Sequence, residues 1–328
     1  MRTVVSNQTF GVFMSQLSVL VLGSRGAVGA AAADALRAGG HAVVGASRRP
    51  GPGGLAVDVT TLEGREVLAA AARRADAVID TSGLEITAVQ EAVGSTPLVD
   101  VSATASHLAR LAGGVADGGA VLLGAGIAPG VSTVLASALG AALGDDVDVT
   151  VMLGAGEPHG AAAVDWTVRL AGAPLYAAPG AERIVNLRSV RRFRSAAENR
   201  RYLRADFPDD LLWGSRSGVA VRSWLALDSR VATAALRTVW VFPLLAPLLR
   251  RAPHLGTSRW RVGAVHRQSG RRFSASGERQ SLATGRMAAL AATRMVERGV
   301  RGVVTMADVV GVDDIRGVAG IGVDCGEG

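Results

Sequence analysis

Three glycines at three-residue spacing, Gly23, Gly26 and Gly29, carry the most specific chemistry in this chain. They follow the apolar run Ser18–Leu22 and open a helical stretch, in the segment Gly23-Ser24-Arg25-Gly26-Ala27-Val28-Gly29. In such a turn the first glycine permits the tight bend, the second lets a pyrophosphate approach the backbone, and the third lets helix and strand pack closely. The anion then sits on the positive end of the helix. The spacing is Gly-x-x-Gly-x-x-Gly and not the tighter Gly-x-Gly-x-x-Gly, and a glycine turn with no ligand is the plain alternative. Further along, the second strand ends in Ala46-Ser47-Arg48-Arg49, without the acid that NAD sites use to hold the ribose 2′-hydroxyl. An arginine pair there, helped by Arg25, can clamp a 2′-phosphate through charge-assisted bonds. The expectation is NADP(H) in preference to NAD(H), against a solvated basic turn. Asp58 and Val59 follow the third strand, near the adenine edge. Thr81, Ser82 and Gly83 after the fourth strand, and Ser102 after the fifth, lie where the ribose and nicotinamide end would pass.

A hydride acceptor also needs a proton source. Asp100 and His107 follow the fifth strand, at the carboxyl edge where open α/β sheets bind ligands. His159 lies in Gly156-Glu157-Pro158-His159-Gly160, ahead of Asp165 and Trp166, in a loop suited to a general acid. The plainer readings put Asp100 in a turn cap and His107 on a helix surface. Arg191, Arg192 and Arg194 suit a substrate carboxylate, but a solvated strand edge fits them better. Tyr176 and Tyr202 sit in no supporting motif.

Composition removes several mechanisms. All 35 basic residues are arginine, so no lysine can form a Schiff base or fill a Tyr-x-x-x-Lys pair. The lone Cys325 excludes an intramolecular disulfide and argues against thiol-acyl chemistry. His41, His107, His159, His254 and His266 show no metal-ligand spacing, so no metal is expected. The net charge of +7 comes from arginines spread through the chain without interleaved aromatics. That favours small anions over nucleic acid.

The elements that position these residues follow from periodicity. With 328 residues, 49% of them hydrophobic, the chain can fill about two domains. Short apolar runs at Ser18–Leu22, His41–Ala46, Leu55–Val59, Ala77–Asp80, Leu98–Val101 and Ala120–Leu123 alternate with helical stretches at Ala30–Ala38 and Leu62–Arg73. Such alternation predicts a doubly wound parallel sheet of Rossmann type over residues 15–140. From residue 141 to 280 the pattern predicts a second α+β domain with a mixed or antiparallel sheet. Within it Val147–Leu153 reads as an antiparallel strand with one wetted face. Ala161–Leu170 reads as a helix, and Trp260–His266 and Arg272–Gly277 as a hairpin about Ser269-Gly270. Ser281–Arg298 reads as a helix returning to the first domain, ahead of a glycine-rich tail expected to fray. The apolar Val231–Leu249 stretch holds Arg237, Pro243 and Pro247, which argues for a buried or dimer-interface helix over peripheral membrane contact. Residues 1–14 carry no signal-peptide pattern and read as an unstructured extension, with Met14 an alternative start and a cytoplasmic location expected.

The segments VLVLGSRGAVG, HAVVGASR, AVDVT, ADAVIDTSG, PLVDVSA and LLGAGIAPGVSTVLA resemble the saccharopine dehydrogenase-like NAD(P)-binding oxidoreductases. In the last of these, Gly126-Ile127-Ala128-Pro129-Gly130 is similar to that family's turn after the sixth strand. The resemblance covers the first ~140 residues well and is poor across the middle domain. It implies an NADP(H)-binding domain joined to a substrate domain whose sheet makes a homodimer. The implied activity is reduction of a C=N or C=O bond in a small or medium-sized acidic metabolite. A lipid-like or polyketide-like substrate reached through residues 231–249, with Trp240 and Phe242 beside it, is the alternative. A dinucleotide-binding sensor without catalysis is another.

Overall fold

The computed structural model describes residues 16–154, 156, 170, 173–176, 184–195, 198–241 and 256–326. Ser18–Leu22 (β1) is apolar after its first residue and buried on both faces, as a central parallel strand must be. Then come α1 (Ala27–Ala38), β2 (Ala42–Ser47), β3 (Leu55–Ala56), α2 (Leu62–Ala72), β4 (Ala77–Asp80), α3 (Ala88–Val93), β5 (Leu98–Asp100), α4 (Ala105–Gly113) and β6 (Ala120–Leu123). Helix α5 (Val131–Ser137) leads into β7 (Asp146–Leu153), β8 (Val190–Ser195), β9 (Glu198–Arg204), β10 (Ala220–Leu227) and α6 (Arg230–Val241). The chain ends with β11 (Arg259–His266), β12 (Arg272–Glu278), α7 (Gln280–Glu297), β13 (Gly302–Thr305), α8 (Met306–Val309), α9 (Val312–Arg316) and β14 (Ile321–Gly326).

The first sheet runs β13-β6-β5-β4-β1-β2-β3 with every pair parallel. Alternate residues of β1 enter different cores. Val19 and Val21 pack with Leu36 of α1 and Met287 of α7, whereas Leu20 and Leu22 pack with Leu68, Val89 and Leu108 of α2, α3 and α4. Helices therefore cover both faces, which is the doubly wound arrangement that the strand pattern predicts. Strand order reverses between β1 and β4, and this opens a crevice at their carboxyl ends.

The second sheet is mixed, in the order β14-β12-β11-β7-β10-β9-β8. β7 and β10 pair in parallel from Asp146–Ala220 to Leu153–Leu227, and the other neighbours pair antiparallel. The core is continuous with the first domain's, because α5 presses Val131, Val134 and Leu135 into the layer that holds Val147, Val149 and Val262.

Three expectations change. The tail is paired as far as Gly326: Ile321–Gly326 runs beside β12 from Gly277 to Arg272 and satisfies an edge that would otherwise lie open. The polar positions of β7 are not wetted, since Asp148 is 1% and Thr150 8% exposed. Asp148 is affordable there because it accepts Trp224 Nε1–H at 2.8 Å and pairs with Arg191 at 2.9 Å and Arg267 at 3.0 Å. Arg191 is thus an internal partner, with Arg192 and Arg194 exposed on alternate positions of the same strand. The predicted Ala161–Leu170 helix and the end of the Val231–Leu249 stretch lie outside the described residues. Among the described residues no helix is long and apolar enough to cross a membrane.

α7 crosses α1 at Gly285, where a Cβ would lie 2.5 Å from the Val28 carbonyl oxygen and 2.6 Å from Ala31 Cβ. Gly285→Ala should therefore destabilise the fold by about 1–3 kcal/mol, although alanine gains up to ~1 kcal/mol of helix propensity. Gly113→Ala, at the end of α4 with nothing within 4 Å of the new methyl, should be neutral or mildly stabilising. Urea unfolding of both variants checks the contrast, and equal stabilities would remove the crossing as a constraint.

Candidate active site

The crevice is built around the β1–α1 turn. Gly23 adopts φ +80 and donates its amide to the Ala46 carbonyl at 2.8 Å, and Gly26 donates to the Gly23 carbonyl at 2.9 Å. The three glycines differ in what they face. A Cβ at Gly23 would meet the Thr81 carbonyl oxygen at 2.5 Å, and one at Gly29 would meet the Gly23 carbonyl oxygen at 2.4 Å and Thr81 Oγ1 at 2.5 Å. At Gly26 the nearest atom is the Gly23 oxygen at 3.3 Å. Gly23 and Gly29 thus serve the packing of helix on sheet, and Gly26 leaves its outer side open to a ligand. No side chain caps α1 and no acid sits in its first turn. The amides of Ala27, Val28 and Gly29 keep their pull on an anion.

Ser24, at the bend, packs its side chain against Gly45, where a Cβ would fall 2.7 Å from Ser24 Oγ. Around the end of β2, Arg25, Arg48 and Arg49 are exposed, and Arg25 leans over the following loop, 3.4 Å from where a Cβ of Gly51 would be. Ser47 Oγ is buried without a hydrogen-bond partner. An orphaned hydroxyl beside three free guanidinium groups fits the adenosine ribose and its phosphate. Asp58 is engaged elsewhere: Oδ1 accepts the Thr60 amide at 3.0 Å and its hydroxyl at 2.6 Å. These bonds, with a smaller contribution from Arg48, hold its carboxyl below the ordinary range. Thr61 then caps α2 through the Gly64 amide at 3.0 Å. Val59 is a core residue at 3% exposure, lying beneath this corner.

β4 and β5 end alike, in Asp80-Thr81-Ser82 and Asp100-Val101-Ser102. Each aspartate accepts the amide two residues on at 2.8 Å and so sets the loop that follows. Thr81 Oγ1 donates back to the Leu22 carbonyl at 2.6 Å, which ties its loop, with Gly83 at positive φ, to the glycine turn. Ser102 Oγ donates to Asp100 Oδ2 at 3.2 Å. The two aspartates are register partners, 5% and 2% exposed. Burial first, and the neighbouring Asp100 charge second, push Asp80 up to about 7. His107 Nε2 lies 3.8 Å from Asp100 Oδ2, and its Nδ1 is buried without a partner. His107 is not on the helix surface as expected, because it occupies the inward stripe of α4 with Leu108 and Leu111. Asp100 and His107 thus come together beneath the loop, and Ser102 lies between Asp100 and the crevice. His159 lies outside the described residues.

A small pocket beside Ala105, at the start of α4, is lined by residues that the sequence did not single out, Arg204, Asp206 and Asp210. Arg204 donates to the Ser223 carbonyl at 2.8 Å, stacks on Trp224 at 5.7 Å and is lowered to about 10 by burial. Burial raises both carboxyls, against the Tyr176 amide at Asp206 and the Val221 amide at Asp210. Arg204 hides in a run of arginines, and only its 3% exposure sets it apart. Another buried carboxylate, Asp209, accepts from Ser132 Oγ at 2.7 Å and Thr133 Oγ1 at 2.8 Å. It fastens the Gly126–Gly130 turn and α5 to the second domain.

Asp80 gives a stability signature. Its ordinary value is 3.8 and its folded value about 7. Between those limits the folded chain holds a proton that the unfolded chain has released, so stability falls as pH rises through the window. Asp80→Asn preserves an acceptor for the Ser82 amide and should remove that part of the slope. Urea unfolding at pH 5 and pH 8 reads it; parallel profiles for the two proteins would show that Asp80 is not protonated in the fold.

No family model matches this chain, and no curated protein matches it. Among solved structures, 3α-hydroxysteroid dehydrogenase from Pseudomonas sp. B-0831, complexed with NADH, shares 22% identity over 27% of this chain and 49% of its own, with a TM-score of 0.23. This chain spans about half or less of the length of that structure and of the other short-range matches. A meso-DAP dehydrogenase mutant from Clostridium tetani E88 is matched over 92% of this chain and 96% of its own, at 12% identity and a TM-score of 0.46. Dihydrodipicolinate reductase from Paenisporosarcina sp. TG-14 is matched over 90% and 100%, at 12% identity and a TM-score of 0.39. All three scores lie below 0.5, so activity and substrate do not transfer from these proteins to this chain.

Proposed function

We propose that this chain is an NADP(H)-dependent oxidoreductase that reduces a C=N or C=O bond in a small or medium-sized acidic metabolite, as its resemblance to saccharopine dehydrogenase-like proteins implies. The observation that carries the cofactor reading is the open side of Gly26, at the uncapped end of α1 and beside the strand-order reversal. The orphaned Ser47 hydroxyl and the exposed Arg25, Arg48 and Arg49 support the 2′-phosphate form. Gly23, Gly26 and Gly29 with the first-turn amides would hold the pyrophosphate. Ser47 and the arginines would hold the phosphorylated ribose, and Thr81–Gly83 and Ser102 would flank the nicotinamide end. Bound there, the cofactor supplies hydride.

The chain itself must supply the proton. A carboxyl pair at Asp80 and Asp100 that keeps a proton near neutral pH can pass it toward the crevice through Ser102 Oγ, with His107 behind it. His159 is the competing donor.

Fluorescence titration with NADPH and NADH tests the reading. NADPH should bind more tightly, and Arg48→Ala/Arg49→Ala should lose about 1.5–3 kcal/mol of NADPH affinity while NADH is little changed. If neither nucleotide binds at high micromolar concentration, the glycine turn is structural and the oxidoreductase reading fails. Once a substrate is in hand, Ser102→Ala and His159→Gln separate the two proton routes by their effect on kcat.

A further inference from the structure

A pocket of about 280 Å³ opens on the far side of the first domain, between the C-terminal end of α1, the middle of α7 and the Val318–Ala319 turn. It lies away from the crevice, because α1 begins at the crevice and runs from it to the pocket. Its volume falls just under the ~300–1,000 Å³ of ordinary small-ligand sites. The floor is apolar, with Leu36, Ala289 and Leu290, and the polar lining is His41, Arg286 and Thr293.

Hydrogen-bond accounting shows what this lining lacks. The last carbonyls of α1 are taken: Ala35 by the Gly39 amide at 3.0 Å, Leu36 by the His41 amide at 3.0 Å and Arg37 by the Gly40 amide at 3.0 Å. His41 is 9% exposed, and its Nδ1 accepts the Leu17 amide at 3.3 Å, so the ring proton sits on Nε2. Arg286 spends one Nη1–H on the Ala319 carbonyl and keeps the rest of its fork. The Thr293 hydroxyl proton goes to the Ala289 carbonyl at 3.1 Å. The donors left over are therefore a buried imidazole N–H and a guanidinium, above an apolar floor, with no acidic side chain in the lining.

We propose that this pocket binds a small amphipathic carboxylate, with the acid on Arg286 and His41 Nε2 and the apolar body against Leu36 and Leu290. A guanidinium fork matches a carboxylate in two parallel bonds, and the desolvated floor selects a compact hydrocarbon or aromatic body. The site is distinct from the nucleotide crevice and does not depend on what that crevice binds.

The probes are phenylacetate and octanoate, with phenylacetamide and octanol as uncharged controls. They are titrated into the full-length chain while the methyl signals of Ala35 and Ala289 and the ring signals of His41 are followed by NMR. Both acids should bind at least about tenfold more tightly than their controls and shift those signals. Arg286→Gln should erase the preference for the acid. Ala289→Met, which fills the floor, should abolish binding of acids and controls alike. Thermal unfolding of each variant within a few degrees of wild type shows that the fold is kept. Acids that bind no better than their controls, a preference that survives Arg286→Gln, or shifts that map to other residues would overturn the assignment.

Discussion

Everything in the first domain depends on how closely α1 is pressed against β1 and β4. The Thr81–Ser82 backbone fills the space that a side chain at Gly23 would need, and the Gly23 carbonyl and Thr81 Oγ1 fill that at Gly29. The same turn of the helix, Val28 to Ala32, is also met by Gly285 of α7, again at backbone distance. Pinned at two points, α1 has one direction available, and its uncapped end is aimed at the place where strand order reverses. The glycines do not create a flexible loop; they remove the atoms that would keep rigid elements apart.

A second theme is the treatment of buried carboxylates in a chain without lysine. Asp148 meets arginines that reach it from other strands, and Trp224 donates to it as well. Asp80, Asp100 and Asp209 instead receive amides and hydroxyls. Burial raises the carboxyls of both kinds, Asp148 despite its arginines and Asp80 and Asp209 despite their hydrogen bonds, because none of these partners offsets the whole cost of desolvation. The first kind welds the second sheet. The second kind sits at the ends of β4 and β5 and between the two domains, where a change in protonation would be felt by the loops.

Much of this was legible in the sequence because it is local. Strands β1, β4 and β6 coincide with apolar runs bounded by turn residues, and the glycine spacing announces its own turn. What was not legible depends on partners far along the chain. Asp209 bonds Ser132 across 77 residues, and nothing near Asp209 signals that contact. Alternation in β7 suggested a wetted face, because periodicity reports which residues share a side but not what covers it. His107 looked exposed for the converse reason: a histidine in a short helix carries no sign of which stripe faces inward. The glycines of the tail masked the alternating Ile321 and Val323, and it pairs because the edge of β12 offers the hydrogen bonds.

The last quarter of the chain visits both domains in turn. α7 seals the first sheet's outer face, β13 extends that sheet beyond β6, and β14 then closes the edge of the other sheet. A ribosome therefore releases the segments that complete the two sheets only after the rest of both domains has been made. Until then β6 and β12 present bare edges, and α1 lacks the neighbour it is shaped to meet. Nascent chains should need shielding until these last strands emerge, with the two domains reaching their final form almost together.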